Sequence, residues 1–77
     1  MYRLTPTMRV LLTLHNFSAV DELRARDIEE IAREINLETK HVEEVVKQLL
    51  EMGYVCRKNG RIYLTPLGIL KILSLFS

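Results

Sequence analysis

The stretch DIEEIAREINLETKHVEEVVKQLLEMGYVCRKNGRIYLTPLG, residues 27–68, decides how this chain folds. Asp27 stands where a helix N-cap belongs, and Glu30, three residues on, completes a capping box. Ile28, Ile31, Ala32 and Ile35 recur on one helical face while Glu29, Glu30, Arg33 and Glu34 take the other, so 27–36 reads as an amphipathic helix. Asn36-Leu37-Glu38 interrupts the period. A further helix over 38–53 buries Val42, Val45, Val46, Leu49, Leu50 and Met52, and Gly53 ends it in the left-handed conformation favoured at helix C-termini. With so short a break between them, the two helices must meet as a helix-turn-helix.

Residues 54–64 follow as two β-prone runs, Tyr54-Val55-Cys56-Arg57-Lys58 and Arg61-Ile62-Tyr63-Leu64, joined by Asn59-Gly60. A type I′ turn needs positive φ at both central positions, and Asn-Gly supplies it, so the segment is a hairpin. Thr65-Pro66 then opens a last helix over 65–77, with Leu64 and Ile69 at the positions of a hydrophobic staple.

Outward on the N-terminal side, Thr5-Pro6 opens a helix over 5–17 by the same capping chemistry. Its apolar residues, Met8, Val10, Leu11, Leu12, Leu14 and Phe17, cover an arc of about 220°, wider than the roughly 100° stripe a helix needs against one core. Ile69, Leu70, Ile72, Leu73, Leu75 and Phe76 of the last helix span a similar arc. Residues 18–26, SAVDELRAR, are compatible with a turn of helix or a short edge strand. The organisation expected is one domain over 1–77, mainly α with a small β-hairpin.

The order helix, helix-turn-helix, hairpin, helix is that of a winged helix, and residues 27–68 resemble the winged helix-turn-helix transcription regulators of bacteria and archaea. The resemblance rests on Ile31-Ala32 inside the second helix, the small polar turn before Val42, the run Leu49-Leu50-Glu51-Met52-Gly53-Tyr54-Val55 into the hairpin, and Leu64-Thr65-Pro66-Leu67-Gly68 leaving it. It implies an α+β winged helix fold in which the third helix enters the DNA major groove and the hairpin wing touches backbone or minor groove. Carried over by position, Thr39, Lys40, His41, Glu43, Glu44 and Lys47 would face bases or phosphates, and Arg57, Lys58, Asn59 and Arg61 would form the wing.

Charge is consistent with half of this picture. The 77 residues carry a net charge of +1, but residues 52–77 hold four cations and no acid, whereas 20–51 are acidic overall. Three cations within Arg57–Arg61 suit phosphate contacts; equally, charged tips keep an exposed hairpin in solution. The third helix departs from the family pattern. Glu38 stands where Ser or Thr usually caps, and Glu43 and Glu44 stand where polar or basic contacts are common. Phosphates repel carboxylates, although Glu can accept from cytosine N4. Lys40–Glu44, Glu43–Lys47 and Lys47–Glu51 are also spaced to pair along a solvated face, each for about 0.2–0.5 kcal/mol.

So short a chain buries about 60% of its unfolded surface, which makes self-association a natural supplement to its core. The wide apolar arcs therefore predict a homodimer through Met8, Leu11, Leu12 and His15 of the first helix and Ile69, Leu70, Ile72, Leu73 and Phe76 of the last. Other supplements find no support. Cys56 is the only cysteine and reads as a packed strand residue, and the two His lie apart, so neither disulfide, metal nor other cofactor is expected. No nucleophile with a paired base and no Gly-rich phosphate loop is present, so no enzyme and no small-molecule substrate are expected. No apolar run approaches the roughly 18 residues of a membrane span, and the start of the chain lacks a signal-peptide layout; with the lone cysteine this leads us to expect a cytoplasmic protein. Two functions remain: a dimeric DNA-binding regulator, and a winged helix docking on a partner protein.

Overall fold

The computed structural model describes residues 4–75. Its helices are α1 (Pro6–Asn16), α2 (Ile28–Ile35), α3 (Thr39–Glu51) and α4 (Pro66–Leu75), and its strands β1 (Arg26–Asp27), β2 (Val55–Lys58) and β3 (Arg61–Leu64). The strands form one antiparallel sheet in the order β1-β3-β2, with Arg26 opposite Ile62 and Val55 opposite Leu64. Residues 18–26 realise both expected conformations in succession: a 3-10 turn over Glu22–Arg24, capped by Asp21 through the Arg24 N–H, and then the edge strand β1. The wing is thus three-stranded, more than the hairpin alone.

Each cap has a local cause. The Thr5 hydroxyl accepts from the Met8 N–H at 3.2 Å, and Thr65 Oγ1 accepts from the Gly68 N–H at 3.0 Å. The capping box expected at α2 is not built by its two carboxylates: Asp27 caps nothing and pairs with Arg61 across the sheet at 3.4 Å, and Glu30 accepts from Arg26 at 3.1 Å. Asn59 and Gly60 take φ of +52° and +80°, the turn that joins β2 to β3.

The core gathers Val10, Leu11 and Leu14 of α1, the apolar faces of α2 and α3, and Val55, Ile62, Leu64 and Ile72. Helix α1 lies at its centre, touching α2, α3, α4 and β3, which is why its apolar arc is so wide. That placement corrects part of the expected dimer surface. Leu11 and Ile72 are 1% and 3% exposed inside the protein's own core and cannot meet a second copy. Met8, Leu12 and Ile69 are half-buried, and His15 is exposed; Phe76 lies outside the described residues. Met52, read as buried, is 45% exposed, because α3 has already reached its C-cap there.

Helix α4 uses its two faces differently. Gly68 and Ile72 are buried, while Leu67, Leu70 and Leu73 stand 51–61% exposed as a stripe along the outside. No described helix is long and apolar enough to cross a membrane.

Candidate nucleic-acid interface

The turn between α2 and α3 is set by Asn36, whose φ of +56° reverses the chain, and by the Leu37 N–H donating to the Ala32 carbonyl at 3.0 Å. Helix α3 then starts at Glu38 without a side-chain cap bond. Its buried face carries Val42, Val45, Val46 and Leu49, so Thr39, Lys40, His41, Glu44 and Lys47 are left exposed, with Glu43 half-exposed toward the wing. Around the start of α3, Asn36, Leu37, Glu38, Lys40, His41 and Glu44 line a shallow depression of about 420 Å³.

The wing presents Arg57, Lys58, Asn59 and Arg61, all exposed at the end of β2 and the start of β3. Alternation in β2 sends Val55 to the core and Arg57, two residues on, to the same side of the sheet, where it meets α3. Arg57 Nη1 donates to Glu43 Oε1 at 2.7 Å, with both side chains about 40% exposed. The ten candidate contact residues thus occupy two adjoining surfaces, joined by this bond.

That bond is not the pairing expected along α3. Among the described residues Lys40, Lys47, Glu44 and Glu51 form no ion pair within 4 Å; the three pairs present are Arg57–Glu43, Arg61–Asp27 and Arg26–Glu30. The wing approaches α3 closely enough for Arg57 to take Glu43, the partner Lys47 would have had one turn away. Arg57 and Arg61 are both held by the protein's own carboxylates, whereas Lys58, Lys40 and Lys47 have no ion-pair partner among the described residues.

Two features went unrecognised in the sequence. Arg26 bonds Glu30 at 3.1 Å and lies 4.7 Å over the Phe17 ring, fixing β1 to α1 and α2. The Arg26 guanidinium, helped by the Asp27 N–H, holds the Glu30 carboxyl below its usual range. On the outer face of the sheet Tyr63 lies opposite Cys56, and the neighbouring Cys56 thiol, with partial burial, raises the Tyr63 hydroxyl above the usual tyrosine range. Arg26 and Glu30 have the i,i+4 spacing but join strand β1 to helix α2 rather than two turns of one helix, while the contacts of Arg26 with Phe17 and of Tyr63 with Cys56 depend on tertiary approach and strand register. Among the described residues no group of three or more His, Cys, Asp or Glu could hold a metal ion.

No protein-family model matches the sequence, and no curated protein matches it. Among solved structures, the solution structure of a DNA-binding TubR fragment from Clostridium botulinum is similar to this chain. The TM-score is 0.75 at 25% identity, over 97% of this chain and 99% of that one. With the helix-turn-helix of α2 and α3, the three-stranded wing and this neighbour, the chain carries the winged helix-turn-helix fold.

Proposed function

We propose that the chain binds double-stranded DNA as a dimeric transcription regulator of the cytoplasm. The observation that carries the reading is the adjacency of the exposed polar face of α3 and the cationic wing tip, joined at Glu43–Arg57. A helix in the major groove and a wing on the neighbouring backbone need those two surfaces side by side. The likeness to a fragment described as DNA-binding supports the same reading. Thr39, Lys40, His41, Glu43, Glu44 and Lys47 face the groove; Arg57, Lys58, Asn59 and Arg61 hold the phosphates. No catalytic step is assigned.

The dimer forms through the outer stripe of α4, Leu67, Leu70 and Leu73, rather than through residues of the core. Antiparallel packing of two such stripes about a two-fold axis makes each its own complement. Fluorescence anisotropy of generic duplex DNA across a salt series tests the binding. Log K falls linearly with log salt, by about 0.9 for each phosphate engaged. Absence of binding at low salt refutes the reading and turns the fold toward a protein partner.

A further inference from the structure

A carboxylate on a DNA-facing helix is repelled by phosphate, so Glu43 needs a reason to stand on α3 beside the wing. The bond to Arg57 provides it. One carboxylate oxygen, Oε1, is taken by Arg57 Nη1 at 2.7 Å, which fixes the side chain and cancels its charge. The second oxygen has no partner among the described residues, and an ionised carboxylate can only accept. Arg57 keeps further N–H donors for phosphate.

We infer that Glu43 is a base-reading residue for cytosine, its carboxylate held by Arg57 so that the open oxygen accepts from the N4 amino group in the major groove. This rests on the DNA-binding reading above. Cytosine presents a donor there without an adjacent acceptor, whereas adenine sets its N7 acceptor beside its N6 donor, and guanine and thymine present acceptors to that oxygen. Glu43 lies in the second turn of α3, counted from Thr39, within the N-terminal part that reaches base edges in helix-turn-helix proteins. Arg57 is the positioning residue. It spans from the phosphate side of the interface to the reading side, and so couples where the wing sits to what the helix reads.

The test is selection from a pool of randomised duplexes with the unaltered protein, Glu43→Gln and, as a control on the exposed face of α2, Glu29→Gln. The affinity of each protein is then measured for the selected duplex and for versions with single C·G pairs changed to T·A. The unaltered protein and Glu29→Gln disfavour one such change by about tenfold. Glu43→Gln loses that discrimination and still binds generic duplex, no more weakly than the unaltered protein, because a carboxylate that phosphate repels has been removed. Arg57→Lys retains the slope, because the charge remains, but loses discrimination at the same pair, because an ammonium on a flexible stem does not fix the direction of the single bond that orients the carboxylate. Undiminished discrimination in Glu43→Gln overturns the inference, and undiminished discrimination in Arg57→Lys overturns the positioning role. Failure of the unaltered protein to retain any duplex at low salt refutes DNA binding itself, a result separate from either.

Discussion

Replacing Gly68 with alanine sets two physical effects of opposite sign against each other. Gly68 sits inside α4, where helix propensity alone rewards alanine by about 1 kcal/mol. A Cβ at this position, however, would lie 2.0 Å from the Tyr54 carbonyl oxygen and 3.0 Å from its carbon. The obstacle is backbone, so no rotamer relieves it, and α4 must move away from residue 54 by about 1 Å to restore a 3.0 Å contact. That movement pulls on the bonds that seat α4, from the Thr65 N–H to the Tyr54 carbonyl at 3.1 Å and from Thr65 Oγ1 to the Gly53 carbonyl at 2.6 Å. Overpacking costs about 1–3 kcal/mol, and each weakened hydrogen bond about 1 kcal/mol. After the propensity gain the net loss is about 3 kcal/mol, out of a total of roughly 4–12 kcal/mol for a chain of this length. At about 4–8 °C per kcal/mol, the midpoint of thermal unfolding followed by circular dichroism falls by roughly 12–24 °C. Gly60→Ala is the comparison: its Cβ meets nothing within 4 Å and its cost is confined to a φ of +80°, about 1–2 kcal/mol. A Gly68→Ala protein that melts at or above the temperature of the unaltered one refutes the reasoning, because propensity would then outweigh the contact.

Three further outcomes are expected. Arg57→Ala combined with Arg61→Ala flattens the salt dependence of duplex affinity by about 1.8, two phosphate contacts at about 0.9 each, for every sequence tested; an unchanged slope removes the wing from the interface. Leu70→Glu, at a side chain 61% exposed, leaves the helical spectrum intact and converts a dimer into a monomer in sedimentation equilibrium. A monomeric unaltered protein at the same concentration refutes the dimer. Arg26 lowers the pKa of Glu30, so the pair stabilises the fold above the unfolded glutamate pKa of about 4.3, and the contribution is lost as pH falls through the lower folded value. Urea midpoints of Glu30→Gln and the unaltered protein therefore converge on acidification, and a constant gap between them contradicts the pairing.

The order of elements was legible in residues 27–68 because its determinants are local. The period of Ile28, Ile31, Ala32 and Ile35, the Thr-Pro starts and Asn59-Gly60 act within a few residues, and each appears in the structure as the chemistry of those residues requires. The adjoining of α3 and the wing follows from the winged helix order, but the bond that joins them does not. Glu43 and Arg57 are fourteen positions apart, and their meeting depends on how closely β2 approaches α3. The i,i+4 rule counts neighbours on one helix and is blind to that approach.

The apolar arcs show the same division. Sequence determined that α1 and α4 carry more apolar surface than one contact needs; only tertiary structure decided where each surface goes. Central placement spends the arc of α1 on three helices and a strand, and it takes Leu11 into the core. Helix α4, packed through Gly68 and Ile72, leaves Leu67, Leu70 and Leu73 outside. Periodicity gives the width of an apolar face but not the number of elements that will cover it, because that number is set by the packing of segments distant in the chain.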